Sequence, residues 1–432
     1  MQSLDQLLRG ELKDTVSLKL SEGLSVFPKE IFDLADSLEV LDLSRNKLTS
    51  LPADFGRLKK LKILFCSENQ FSVLPEVLAD CPELDIVGFK SNHIANLPAK
   101  AINPNLRWLI LTDNCIGELP VTIGQCKRMQ KLMLAGNRLS NLPEELKNCS
   151  NLSLLRVSAN QLRALPEWLL TMPKLSWMAF SGNPFCSVPG LPSLPSIHWN
   201  DLYLEEVLGE GASGVISRAS YKLEAEIKEV AVKVFKGAVT SDGFPSDEMN
   251  AYMAAGTHPG LAMLTGKIEG HPKGKRGLVM ELIPKSFFNL GLPPSLESCT
   301  RDVFKENLRL SMQQVIKIAG TIASLASQLH RNGILHGDLY AHNTLVDAAG
   351  NTLFGDFGAA SFYEVGHPAA FFLERLEVCA YGQLLDDLMT LCEADPDQPV
   401  MLSLSSLRDR CLDPDVHSRP GFIVLSEMIS AL

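Results

Sequence analysis

His336-Gly337-Asp338-Leu339-Tyr340-Ala341-His342-Asn343 is the stretch on which the second half of the chain turns. It follows an apolar run at helical spacing, Ile316 to Leu329, and a glycine stop at Gly333. The spacing predicts a loop at the end of a buried helix. An aspartate followed five positions later by an asparagine can do two jobs at one phosphate site. Asp338 can accept the proton of an attacking hydroxyl, and Asn343 can hold a metal ion that bridges phosphates. Taken alone, His-x-Asp in a loop is as easily structural, so the weight falls on its surroundings.

Upstream, Gly209-Glu210-Gly211-Ala212-Ser213-Gly214-Val215 follows the strand-like Tyr203 to Leu208. Glycines let backbone lie over phosphates without side-chain collision, and Val215 can press on a base. Dinucleotide-binding folds also use such a loop, but they continue into a crossover helix. Here a second strand-like run follows, Glu229 to Phe235. Inside it Val230-Ala231-Val232-Lys233 sets one lysine in an apolar run, at a distance from the glycines that suits a phosphate contact.

In this order the motifs resemble the eukaryotic-type protein kinase family, from about residue 200 to 432. The resemblance implies ATP and Mg2+ as cofactors and transfer of a phosphoryl group to a protein hydroxyl. It implies that Lys233 holds the α- and β-phosphates, with Glu248 as its ion-pair partner and Asp247 as the near alternative. Gly277 to Pro284 would bind adenine, with Met280 as gatekeeper and Glu281 and Ile283 offering backbone groups; Ala231, Val215 and Leu345 would sandwich the base. Asp338 would be the base or hydroxyl-orienting group, while Asn343 and Asp356, the latter from Asp356-Phe357-Gly358, would bind magnesium.

Departures from the family pattern carry information too. Gly337 stands where many of these kinases have an arginine that receives an activation-loop phosphate. The segment after Gly358 is short and has no clear Ala-Pro-Glu; Ser361 and Tyr363 are its nearby hydroxyl residues. Glu377 to Gly382 resembles the start of the large central helix, with Glu in place of Asp, and Cys411 to Pro420 the late arginine motif around Arg419. Tyr340 and His342 occupy the positions two and four after the catalytic aspartate, where Lys or Arg would indicate the acceptor hydroxyl. Serine/threonine is therefore favoured on base rate alone. Small-molecule kinases share the His-Gly-Asp variant, and an ATP-binding scaffold is the other alternative. His330, His336 and His342 lie six apart, and the resemblance makes His336 a packing residue under the loop rather than a metal ligand.

The first half repeats itself. Asn46, Asn69, Asn92, Asn114, Asn137, Asn160 and Asn183 are separated by 23, 23, 22, 23, 23 and 23 positions, and Pro52 to Pro189 keep the same step. Units such as Leu38 to Pro52 resemble leucine-rich repeats. A short strand points Leu41 and Leu43 inward, and the asparagine side chain can satisfy backbone groups where the strand ends. Leu18 and Leu20 form a degenerate first unit, preceded by a small capping helix. Positions alternating with the core face the concave side, and many are apolar: Phe65, Trp108, Ile110, Met133 and Trp177. A row like this suits a surface that a protein substrate or regulator, or the second domain, would cover.

The expected architecture is multidomain: an α/β leucine-rich-repeat solenoid over residues 1–195, then a two-lobed α+β protein-kinase-like domain over 196–432. At 432 residues the chain exceeds one ordinary core. Its formal charge of −10 argues against nucleic acid or anionic membrane as the main partner. No apolar run reaches membrane-spanning length and the start lacks a signal pattern, so a cytoplasmic protein is expected. Among the ten cysteines no metal-ligand spacing occurs, and Cys81, Cys126 and Cys149 share one repeat position, as buried thiols of a reducing compartment would.

Overall fold

The computed structural model describes residues 2–188, 190–211, 213–223, 226–237, 239–240, 242–394 and 397–432. Pro189 of the repeats and Ala212 of the glycine loop lie outside the described residues. The chain divides into two compact units: Met1–Lys174 with Asn183–Phe185, and Leu175–Gly182 with Cys186–Leu432. The second unit thus reaches back beyond the expected boundary at Pro195 and takes in the strand segment of the last repeat.

In the first unit, Ser3 and Gln6 form a capping box on a short helix, α1 (Leu4–Leu8). Strands of three residues then recur: β1 (Ser17–Lys19), β2 (Val40–Asp42), β3 (Ile63–Phe65), β4 (Ile86–Gly88), β5 (Trp108–Ile110), β6 (Lys131–Met133) and β7 (Leu154–Arg156). Most units return through a 3₁₀ turn, and the unit after β7 through a single turn of helix, α2 (Glu167–Leu170). The parallel register stacks Leu18, Leu41, Leu64, Val87, Leu109, Leu132 and Leu155 in one row. All seven are fully buried. No single repeat could bury its leucine face alone; the stack does it jointly.

Asparagines tie the stack together. Asn92 Nδ2 donates to Cys66 O (3.0 Å) and Phe89 O (3.1 Å), and its Oδ1 accepts from Phe71 N (3.0 Å). The same bridge to the preceding unit recurs at Asn69, Asn114, Asn137, Asn160 and Asn183. The residue just before each asparagine is in the left-handed region, even where it is Arg45, Glu68, Ser91, Asp113 or Ala159. That conformation turns the asparagine inward, and its strain is offset by the buried hydrogen bonds. Asn92→Ala strands a buried N–H and two carbonyls, and should cost about 2–4 kcal/mol in a urea unfolding titration.

Cys81, Cys126 and Cys149 are buried under the turns, and burial pushes their thiols up to about 11, 12 and 11. Among the described residues no cysteine forms a disulfide. Phe65, Trp108, Ile110 and Met133 are half-buried. Phe65 lies across Gly88, where a Cβ would sit 2.6 Å from its ring. Trp108 is capped by Lys131, whose Nζ is 4.4 Å from the ring centre.

The second unit opens with β8 (Trp177–Ala179) and β9 (Ser196–His198). Next come β10 (Leu202–Glu210), β11 (Gly214–Leu223), β12 (Glu226–Phe235), α3 (Pro245–Ala255), β13 (Leu264–Glu269) and β14 (Gly277–Glu281). They form a sheet ordered β10-β11-β12-β14-β13-β9. Met253 on α3 packs with Ala231, Phe235, Leu278 and Met280, which sets the helix against the sheet. After β15 (Phe288–Asn289) runs α4 (Met312–Arg331), capped by Ser311 and Gln314 and ended by Gly333 at φ 68°. The loop elements are β16 (Ile334–Leu335), β17 (Thr344–Val346), β18 (Thr352–Phe354) and β19 (Ser361–Phe362). Helices α5 (Ala369–Leu391), α6 (Pro399–Cys411) and α7 (Phe422–Ser430) complete the lobe. Glu377 lies inside α5 rather than at its start, because Leu373 and Leu376 extend the buried face upstream. Among the described residues no helix is long and apolar enough to cross a membrane.

Candidate active site

A cleft of about 680 Å³ is lined by Gly209, Gly211, Gly214, Lys233, Glu248, Met280, Ile283, Asn343, Leu345 and Asp356. Residues more than 140 positions apart in sequence thus meet on one surface. Lys233 comes from β12 and Glu248 from α3, and the two form an ion pair with both side chains largely buried. Burial pushes the Glu248 carboxyl above its usual range, and Asp356 adds to that, against the pull of Lys233. Asp247, the alternative partner, instead lies beside Gly182, its Oδ2 3.3 Å from where a Cβ there would be.

Asp338 and Asn343 meet on the loop between β16 and β17. Asn343 Nδ2 donates to Asp338 O (2.9 Å) and Asp338 Oδ2 (3.0 Å), and Asn343 lines the cleft. Asp356 is an exposed non-glycine residue in the left-handed region, at φ 56°. Its Oδ1 accepts from Gly358 N at 3.2 Å. Such strain costs roughly 1–2 kcal/mol and collects at functional positions. Two hard oxygen donors, Asn343 Oδ1 and the Asp356 carboxylate, are the kind magnesium takes. Gly209 and Gly211 have nothing within 4 Å of a Cβ position, which leaves the loop open to a phosphate chain.

Four sequence expectations fall differently. On β11 the side chain that lines the cleft is Ile216, not Val215, because successive side chains on a strand face opposite sides. Ala231 is buried in the cluster beside Met280 rather than lining the cleft. Glu281 is exposed at the end of β14, and its amide already donates to Met263 O (2.9 Å). Trp177 is 1% exposed and packs inside the second unit, so it is not part of an open concave face.

Beneath the loop, Glu377 is fully buried and accepts from His336 N (3.2 Å) and Gly337 N (2.7 Å). His330 Nε2 lies 2.8 Å from the same carboxylate, while its Nδ1 meets Tyr363 Oη at 2.7 Å. The ring of His336 packs on Phe354 and Phe357, and its Nε2 sits 3.2 Å from Gly355 O. Burial pushes its basicity below the ordinary imidazole range, and the ring serves as a packing group. His342 is set by Asp302, which accepts from its N (2.9 Å) and Nδ1 (2.7 Å). Asp302 was not legible beforehand, since it lies 40 positions away in an irregular segment. Tyr340 is 5% exposed and stacks on Trp177, so it faces inward, away from an acceptor. Ser361 is fully buried and Tyr363 is committed to His330, which removes both as open modification sites.

A family model described as protein tyrosine and serine/threonine kinase matches residues 202–367, and one for leucine-rich repeats matches 36–76. A probable serine/threonine-protein kinase of Dictyostelium discoideum is 31% identical over 150 residues, 35% of this chain and 8% of that protein. Another from the same organism is 26% identical over 249 residues, 52% of this chain and 14% of that protein. The mouse leucine-rich repeat and calponin homology domain-containing protein 1 is 32% identical over 126 residues, 28% of this chain and 18% of that protein. The chain spans less than a fifth of each of these relatives. The stacked parallel strands of the first unit and the sheet, helices and cleft of the second are thus the folds of a leucine-rich-repeat array followed by a protein-kinase-like domain.

Proposed function

We propose that this chain transfers the γ-phosphoryl of ATP to a protein hydroxyl, with serine or threonine favoured as acceptor. The observation that carries the reading is the convergence of the Lys233–Glu248 pair, Asn343 and Asp356 on one cleft, with Asp338 held beside it by Asn343. Glu248 fixes the lysine so that its ammonium can neutralise phosphate charge without reorganising. Glycines 209 and 211 admit the phosphates close to backbone. Ile216, Met280 and Leu345 offer an apolar slot for a base. Asp338, held by Asn343, orients the acceptor hydroxyl and takes its proton. Asn343 and Asp356 would hold magnesium, which when bound neutralises charge on the transferred group. On the repeats, Phe65, Trp108, Ile110 and Met133 form the face for a protein substrate or regulator. The buried thiols of the repeats, such as Cys81, Cys126 and Cys149, fit a reducing compartment such as the cytoplasm.

One feature favours a second reading, transfer to a small hydroxyl compound. Helix α5 begins at Ala369, soon after Gly358, which leaves little chain to form a platform for a peptide. The test is label transfer from γ-labelled ATP by the full chain with magnesium, offered a generic basic protein or small amino alcohols. Label on protein serine or threonine is expected. Label on an amino alcohol alone would favour the second reading. No label, with ATP still raising the melting temperature, would make the domain an ATP-binding scaffold.

A further inference from the structure

We infer that Leu175–Gly182, the strand segment of the last repeat, is a built-in clamp that positions the catalytic loop, with Trp177 and Ser361 as its positioning residues; this rests on the phosphoryl-transfer reading above. The segment belongs by its contacts to the second unit. Trp177 Nε1–H donates to Leu339 O at 3.0 Å, at the residue next to Asp338. The Trp177 ring stacks on Tyr340, with centres 4.4 Å apart and planes 6° from parallel. Two residues of the loop are therefore fixed, by a peptide carbonyl and by a ring.

Three residues beyond Trp177, the strand turns to the chain that follows Asp356. Ser361 Oγ accepts from Phe180 N (2.8 Å) and Ser181 N (3.1 Å). Ser361 is itself paired with Leu335, immediately ahead of His336. One hydroxyl thus links the clamp, the post-Gly358 strand and the root of the catalytic loop. Gln383 Nε2 reaches Ser176 Oγ at 3.3 Å and ties the segment to α5 as well.

The departure at Gly337 follows from this arrangement. Gly337 has φ 75°, and a Cβ there would lie 2.4 Å from Met178 O and 2.8 Å from Ala359 O. The backbone of β8 fills the space that an arginine side chain would need. A loop phosphate has no cation at this position to bind, and the two jobs it would do, ordering the loop and ordering the segment after Gly358, are done by the Trp177 side chain and by the amides of Phe180 and Ser181. The loop is therefore held in its working geometry without phosphorylation.

The experiment uses the full chain carrying Trp177→Phe, which keeps a ring on Tyr340 but loses the donor, or Ser361→Ala, which removes the shared acceptor. Each should lower kcat by about 10–100-fold, since small displacements of a catalytic group carry penalties of that order. KM for ATP should stay within about twofold, because the walls that grip the nucleotide are untouched. Amide exchange should quicken at 336–343 and 356–363 and remain unchanged in the sheet of β10 to β14. Phosphatase treatment of the wild type should leave its rate intact. Unchanged kcat and unchanged exchange at 336–343 in both variants would overturn the inference. So would exchange quickened throughout the unit with KM raised in step, the signature of a merely structural role. If the wild type transfers no label, the phosphoryl-transfer reading fails, while the exchange pattern still decides whether the segment clamps the loop.

Discussion

Asp338→Ala should lower the rate of phosphoryl transfer by about 10²–10⁴-fold, the span general-base or hydroxyl-orienting groups commonly supply. The nucleotide should bind as before, because Lys233, Glu248, Met280 and Leu345 line the cleft independently of that side chain. The signature is thus a fall in kcat with KM for ATP nearly constant. Asp338 Oδ2 also accepts from Asn343 Nδ2, so its loss removes one of the two bonds that hold the amide and leaves only the one to Asp338 O. Asn343→Ala should therefore reproduce part of the deficit, and the double variant should lose less than the sum of the two, as groups acting as a unit do. Steady-state kinetics with the labelled nucleotide checks all three. A rate for Asp338→Ala within threefold of wild type would remove this residue from the chemistry.

Glu377→Ala should destabilise the kinase unit by about 3–5 kcal/mol, because it leaves buried partners of a fully buried carboxylate without an acceptor. Those partners are the amides of His336 and Gly337 and the imidazole of His330. Glu377→Gln keeps one carbonyl acceptor and should cost less, about 1–3 kcal/mol. Burial alone would raise the Glu377 carboxyl, but the hydrogen bond with His330 and the amide of Gly337 outweigh it and hold the group below its ordinary range. A carboxyl with a depressed folded pKa binds protons more readily in the unfolded chain. Its stabilisation is present above the unfolded value and is lost as pH falls through the folded one. The gap between wild type and Glu377→Gln in urea midpoints should therefore be widest near neutrality and close as pH falls below the ordinary glutamate range. A gap that grew on acidification would contradict this sign. Because the same carboxylate anchors the loop two residues before Asp338, both variants should also lose activity.

The repeat array could be read almost completely from sequence. A fixed step with apolar residues at set offsets leaves one way to bury the leucines, and the asparagine bridges are where the spacing put them. What the pattern did not reveal was the left-handed residue before each asparagine, since Arg45, Glu68 and Ala159 have no local preference for it. The stack imposes that conformation. In the kinase unit, Lys233, Asn343 and Asp356 could be located because short motifs carry them. Ile216 rather than Val215 lines the cleft because β11 alternates its side chains, which the glycine spacing alone does not encode. Ser361 looked like an open hydroxyl, yet the fold buries it.

By itself, then, the sequence determined what is periodic or local: the repeat unit, the glycine loop, the lysine strand and the Asp-Asn loop. Each depends on residues close along the chain, whose spacing is their geometry. Only the tertiary structure decided which carboxylate pairs with Lys233, that Trp177 packs on the loop of Asp338, and why position 337 must be glycine. Those answers depend on contacts such as Trp177 with Leu339, 162 residues apart, and Phe180 with Ser361, 181 apart. No local pattern encodes a contact of that separation; packing of the finished fold selects it.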